Sequence, residues 1–219
     1  GSKYLLGCIG RVDSAHHAHG CIAVQSLLHR SRGIGEAISK ALKDAGYEVA
    51  ATYAGNDEKA AAFTAETGIK TYKWDVANYE ASAAGIAQVE ADLGPIDVVV
   101  ANAGITWDGV IWKMSEKQWD AVITVNLKGY FNYNTAAATV FKDQKYGKIV
   151  NISSINGMRG KFAQANYAAS KGGEIAMSKS LAKELGKFNI NVNVVAPGMV
   201  LTDMMESLAP EFKNVALSE

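Results

Sequence analysis

At 219 residues, 48% of them hydrophobic and 20% charged, the chain can bury a full core as one globular domain. Its 22 basic and 22 acidic residues cancel without forming a basic stripe, which excludes the broad electrostatic footprint of a nucleic-acid binder. Cys8 and Cys21 are too few for a disulfide framework and suit a reducing compartment, and no apolar run is long enough for a membrane span or a signal-peptide core, so the chain reads as soluble and cytoplasmic.

In chain order, the segment up to Arg30 carries all four histidines, His16, His17, His19 and His29. The run "HHAH" hints at metal only by composition, and no metal site is expected. The stretch "LLHRSRGIGEAISKAL" then passes through Gly33 and Gly35 into a helical pattern over Glu36 to Ala45. Two close glycines let a backbone approach a pyrophosphate, and the helix start offers unpaired amides; a Gly-rich turn before an ordinary helix reads the same way. A strand is expected over Glu48 to Tyr53, and no acid sits at its end to accept a ribose 2′-hydroxyl. Arg32 can instead pair with a 2′-phosphate, which favours NADPH, or can be a solvated loop charge.

Further helices are expected over Asp57 to Thr67, Tyr79 to Leu93, Ser115 to Thr139 with a break, and Tyr167 to Leu185. Strands are expected over Ile69 to Trp74, Ile96 to Ala101, Lys148 to Ser153 and Asn191 to Ala196. "IDVVVA" and "KIVNIS" are almost continuously apolar, as strands covered on both faces are, so the alternation predicts a doubly wound parallel α/β sheet. Ligands bind such sheets beyond the carboxyl ends of the strands. Asp75 lies at one of these ends and either contacts an adenine or caps the next helix; "ANAG", Ala101 to Gly104, lies at another.

The stretch "NISSINGMRGKFAQANYAASK" places Tyr167 and Lys171 four apart on one helix face. A nearby ammonium favours phenolate, so Lys171 is expected to lower the Tyr167 pKa from about 10 toward the range of a general acid. Ser154, upstream at a strand end, can hydrogen-bond the carbonyl oxygen that Tyr167 would protonate, or can serve as a turn serine.

Taken in order, "RSRGIG", "ANAG", "VNLKG", Ser154 with "YAASK", and "PGMVLTDM" resemble the short-chain dehydrogenase/reductase family over about Ser31 to Met205. The resemblance implies a single-domain Rossmann sheet with helices on both faces and a catalytic set of Asn126, Ser154, Tyr167 and Lys171. It implies NADPH held by Arg32, Gly33, Ile34, Gly35, Asp75, Val76, Asn102, Ala103, Gly104, Pro197, Gly198 and Thr202, with Gln164 toward the substrate. The stretches "YAGNDEKAAAFTAETGIKTYKWDV", "NAGITWDGVIWKM" and "SSINGMRGKFAQANY" are most similar to acetoacetyl-CoA reductases and 3-oxoacyl-[acyl-carrier-protein] reductases. The implied activity is reduction of a 3-oxoacyl thioester, acetoacetyl-CoA to 3-hydroxybutyryl-CoA as in polyhydroxybutyrate precursor synthesis, or the carrier-protein equivalent of fatty-acid synthesis. Its substrate is a small-molecule thioester, with no nucleic acid or membrane partner. Arg159 and Lys161 would face acidic CoA phosphates or carrier protein, or are solvated. The family expectation of assembly is a homotetramer.

The resemblance divides the chain into an atypical segment 1–30, without the family's first strand and opening glycine, and a domain over 31–219 that ends before a further helix and strand. A catalytically silent member that keeps only the scaffold is the second reading. Where the family's loop has its first glycine, this chain has His29. His29→Gly should therefore tighten cofactor binding by up to about 1–2 kcal/mol if that position is left-handed. A titration of NADPH fluorescence measures this, and unchanged affinity in a folded protein would exclude local strain.

Overall fold

Almost every strand is paid out into a helix that crosses back over the sheet, and this rhythm gives a six-stranded parallel sheet. The computed structural model describes residues 21–25 and 33–200. The strands are β1 (Cys21–Gln25), β2 (Glu48–Tyr53), β3 (Lys70–Lys73), β4 (Ile96–Ala101), β5 (Gly147–Ile152) and β6 (Ile190–Val195). They lie in the order β3-β2-β1-β4-β5-β6, every neighbouring pair parallel. The helices are α1 (Ile34–Asp44), α2 (Asp57–Thr67), α3 (Tyr79–Leu93), α4 (Glu116–Val122), α5 (Gly129–Gln144), α6 (Asn156–Arg159) and α7 (Ala165–Leu185). Among the described residues no helix is long and apolar enough to cross a membrane.

The expected strands and most expected helices are present with bounds shifted by about two residues at most. The long helix expected from Ser115 to Thr139 runs on to Gln144. It is interrupted by a π-helical turn at Ile123–Lys128, between α4 and α5.

One correction concerns the start of the chain. The motif resemblance set residues 1–30 apart from the domain, yet Cys21–Gln25 forms the central strand, pairing with β2 on one side and β4 on the other. Cys21, Ile22, Ala23 and Val24 are fully buried. A short apolar run beside a histidine-rich stretch carries little periodicity, so only its neighbours in the sheet identify it as a strand.

Burial follows the pleat. Val98 and Val100 of β4 face one layer with Ile38, Leu42 and Phe63, whereas Val99 and Ala101 face the other with Ile86, Val89, Tyr130 and Tyr133. Both faces are thus covered, which explains why β4 and β5 are buried along their whole length and almost continuously apolar. The order of strands reverses between β1 and β4, which places the topological crevice at the ends of these two strands. Residues that follow β4, β5 and β6 gather around it.

Gly85 of α3 permits the Trp74 indole to lie directly on the helix, because a Cβ at this position would overlap the ring. Gly85→Ala should therefore destabilise the fold by about 1–3 kcal/mol despite the better helix propensity of alanine. Urea unfolding followed by tryptophan fluorescence measures this, and equal or greater stability would contradict the packing.

Candidate active site

Helix α7 carries Tyr167, Lys171, Glu174 and Ser178 at spacings of four, three and four, so the four side chains share one face. That face packs on β5. The Ser153 hydroxyl donates to the Lys171 carbonyl (2.8 Å), and the Asn151 amide donates to the Ser178 hydroxyl (2.9 Å). Gly157 of α6 allows α6 to lie against the same helix, since a Cβ there would come within 2.6 Å of the Lys171 carbonyl carbon.

Lys171 is almost wholly buried. Its Nζ donates to the Ile152 carbonyl at 2.9 Å, to Glu174 Oε1 at 2.8 Å and to Tyr130 Oη at 3.4 Å. It also lies 4.7 Å from the centre of the Tyr130 ring and 5.9 Å from that of Tyr167. Burial pulls the ammonium below its usual pKa while Glu174 opposes this, and burial pushes the Glu174 carboxyl up to about 8 against the pull of Lys171.

Tyr167 departs from expectation. Burial raises its phenol above the ordinary tyrosine value, with a hydrogen bond to Ser154 lowering it and the carboxylates of Glu174 and Asp108 raising it further. Lys171 was expected to lower this pKa, but its ammonium is turned toward Glu174 and the Ile152 carbonyl. Ser154 itself is buried two residues beyond β5, and its hydroxyl also accepts from the Asn156 amide at 3.2 Å.

Asn126 sits on the π-helical turn, a form that recurs at functional sites because it re-aims a side chain within a helix. Its Oδ1 accepts from the Ile105 amide (2.8 Å), and its Nδ2 donates to the Ile105 carbonyl (3.0 Å) and Ser170 Oγ (3.1 Å). Asn126 thereby fixes the loop after β4. Gly104 in that loop lies between the two groups: a Cβ there would be 3.5 Å from Asn126 Oδ1 and 3.6 Å from Lys171 Nζ.

Of the residues expected to hold a dinucleotide, those that the structure describes follow strand ends or open a helix. Gly33 precedes α1 and offers no side-chain cap, and Ile34 and Gly35 form its first turn. Asn102, Ala103 and Gly104 follow β4. Pro197 and Gly198 follow β6, and the Pro197 carbonyl accepts from the Ile155 amide at 3.0 Å. Val76 is buried, and its carbonyl accepts from Asn132 Nδ2 at 2.8 Å.

Asp75 is exposed and accepts from the Ala77 amide, but the cap of α3 is Asn78, so the helix-cap alternative for Asp75 is set aside. A surface hollow of about 620 Å³ includes Asp75, Glu116, Lys117 and Asp120, but none of the residues around Tyr167. Its acidic lining does not suit a phosphate. Arg32, His29 and Thr202 lie outside the described residues. Among the described residues no group of three or more His, Cys, Asp or Glu side chains converges.

Sequence reading missed a set of amides that brace the site. Asn166 Nδ2 donates to the carbonyls of Trp107 (3.0 Å) and Gln118 (3.2 Å), and Gln164 Nε2 donates to Asp108 Oδ2 (2.9 Å). Asn156 Nδ2 donates to Gln164 Oε1 at 3.1 Å, and Ala163, held at φ 61°, accepts from the Gly109 amide at 2.8 Å. Gln164 therefore ties the loop before α7 to the loop after β4. These partners are distant in sequence and leave no local pattern. Glu174 was legible in principle, as an acid three residues beyond Lys171 on the same helical face.

A family model described as short chain dehydrogenase matches residues 29–212. An acetoacetyl-CoA reductase of Shinella zoogloeoides is 54% identical over 184 residues, 84% of this chain and 76% of its own length. The acetoacetyl-CoA reductase of Paracoccus denitrificans is 56% identical over the same shares. A 3-oxoacyl-[acyl-carrier-protein] reductase of Staphylococcus aureus is 42% identical over 194 residues, 86% of this chain and 79% of its own.

Asn166→Ala would strip two carbonyls of a buried donor and should cost about 1–3 kcal/mol. Hydrogen exchange should rise selectively at residues 105–109, and unchanged protection there would show that the brace is not what holds the loop.

Proposed function

The chain belongs to the short-chain dehydrogenase family, and from that premise we propose that it reduces a 3-oxoacyl thioester with NADPH, acetoacetyl-CoA to 3-hydroxybutyryl-CoA being the best-supported substrate and product. The observation that carries this reading is the Tyr167 ring 5.9 Å from the buried Lys171 ammonium, with Ser154 close enough to act on the phenol. The names of the relatives above 50% identity support the CoA thioester, and the relative at 42% supports the carrier-protein thioester as the second reading.

The uncapped start of α1 and the side-chain-free space at Gly104 fit a dinucleotide. Gly33, Ile34 and Gly35 would hold its phosphates, and Asn102, Ala103, Gly104, Pro197 and Gly198 its nicotinamide half, with Arg32 and Thr202 assigned from sequence alone. When bound, NADPH would supply a hydride, which carries two electrons and one proton and leaves the carbonyl one proton short of the alcohol. Tyr167 supplies the missing proton. The phenol is protonated at neutral pH, and because burial makes it a weaker acid it depends on the nearby Lys171 charge to stabilise the phenolate as the proton leaves for the carbonyl oxygen. Ser154 donates to the same oxygen and orients it, while the Lys171 charge stabilises the phenolate left behind until solvent returns a proton.

A preference for NADPH is supported at the end of β2. The nearest carboxylate there, Asp57, is already engaged by Lys73 at 2.8 Å and by the Tyr53 hydroxyl at 3.0 Å. The exposed Arg159 and Lys161, with Met158 and Phe162 beside them, suit an acidic and partly apolar thioester carrier. We place the protein in the cytoplasm, in keeping with a buried, free Cys21, and as a homo-oligomer by family expectation.

Tyr167→Phe should lower reduction of acetoacetyl-CoA by about 10²–10⁴-fold while leaving NADPH affinity nearly unchanged, since only the proton donor is removed. Lys171→Ala should damage both. NADPH consumption beside a fluorescence titration separates the two effects. Near-normal turnover of Tyr167→Phe would overturn the mechanism, and a protein that binds NADPH yet reduces neither thioester would leave only a scaffold.

A further inference from the structure

The Lys171 ammonium has three hydrogens, and all three have partners on the inner side of the site: the Ile152 carbonyl, the Tyr130 hydroxyl and Glu174 Oε1. Tyr130 also donates to the Ile152 carbonyl at 2.8 Å, so this carbonyl is shared between the two. The Lys171 and Glu174 side chains are 4% and 0% exposed. Glu174 Oε2 is buried with no hydrogen-bond partner among the described residues.

A buried carboxyl with one oxygen unmatched is costly, and hydrophobic side chains of similar size would pack the position at least as well. Its one matched oxygen is spent on the lysine that the reaction needs. The titratable groups packed around the pair are Tyr167 on α7 and Tyr130 on α5, with Asp108 from the loop after β4 acting on Tyr167. The backbone on the β5 side contributes the Ile152 carbonyl.

We propose that Glu174 is a positioning residue of the reductase reaction: it draws the Lys171 ammonium inward, beneath Tyr167, and sustains its charge in a place from which water is excluded. Lys171 then turns toward a cofactor ribose by exchanging one of its three inner hydrogen bonds. This rests on the reductase reading, but it also has a consequence that needs no turnover. Without the carboxyl only the neutral Ile152 carbonyl and Tyr130 hydroxyl oppose desolvation, so the ammonium loses its proton at a lower pH.

The experiment compares wild type, Glu174→Gln and Glu174→Asp by the pH dependence of NADPH affinity, read by fluorescence, and of kcat and KM for acetoacetyl-CoA. In Glu174→Gln the alkaline midpoint of NADPH binding, and with it the alkaline limb of kcat, should move down by about one pH unit or more. KM for the thioester should stay within about twofold, because the carboxyl acts through Lys171 and touches no substrate. Glu174→Asp keeps a charge but withdraws it by one methylene, so its midpoint should fall between the other two. It carries the test by itself if Glu174→Gln does not fold. A binding midpoint left at the wild-type value in either folded variant overturns the proposal. Wild-type protein that binds NADPH but reduces no thioester would refute the reductase reading, while the binding midpoints would still decide the role of Glu174.

Discussion

Taking an ammonium out of water costs several kcal/mol unless partners replace the lost solvation, and Lys171 is almost wholly removed from solvent. Much of the site's construction answers that demand. The Ile152 carbonyl at the end of β5, the Tyr130 hydroxyl on α5 and the Glu174 carboxyl on α7 come from three elements, and they meet only if those elements pack in this arrangement. The cation therefore ties the geometry of the site to that of the core: Tyr130 is at once a fully buried core side chain and a partner of the lysine.

Close backbone approach makes that meeting possible. Helix α7 is held on the end of β5 by the Ser153 and Asn151 hydrogen bonds, and α6 packs closely against it at Gly157, where a Cβ would overlap the Lys171 backbone. The π-helical turn then aims Asn126 across to the loop after β4, and Asn166 and Gln164 fasten the far side of the same loop. The loop residues are thus held at both ends by side-chain amides. Such bracing fixes distances between groups that come from separate strands, which is what proton transfer to a small carbonyl requires.

Where sequence and structure part, the reason is local pattern against tertiary neighbours. β4 and β5 announce themselves as apolar runs, and Tyr167 and Lys171 as a pair four residues apart. β1 does not announce itself, since "CIAVQ" is short and becomes a strand by lying between Val49–Thr52 and Val98–Val100. The expected lowering of the Tyr167 pKa also failed on tertiary grounds. The spacing places Lys171 near the phenol, but it says nothing of Glu174 and Ile152 drawing the ammonium away, nor of the burial that raises the phenol.

The sequence by itself determined the alternation of strands and helices, the both-faces-covered sheet and the Tyr167 and Lys171 pair, because each is written in short-range periodicity or spacing; Asn126 came only with the ordered motifs that resemble the family. Tertiary structure decided which of these side chains meet and in what state. The burial of the Lys171 and Glu174 pair, the bonds of Lys171 to Ile152 and Tyr130, and the amide brace across residues 105–109 join positions up to dozens of residues apart. The charge that a buried group carries depends on the solvent excluded and the partners supplied by the whole fold, and no local run of residues contains that information.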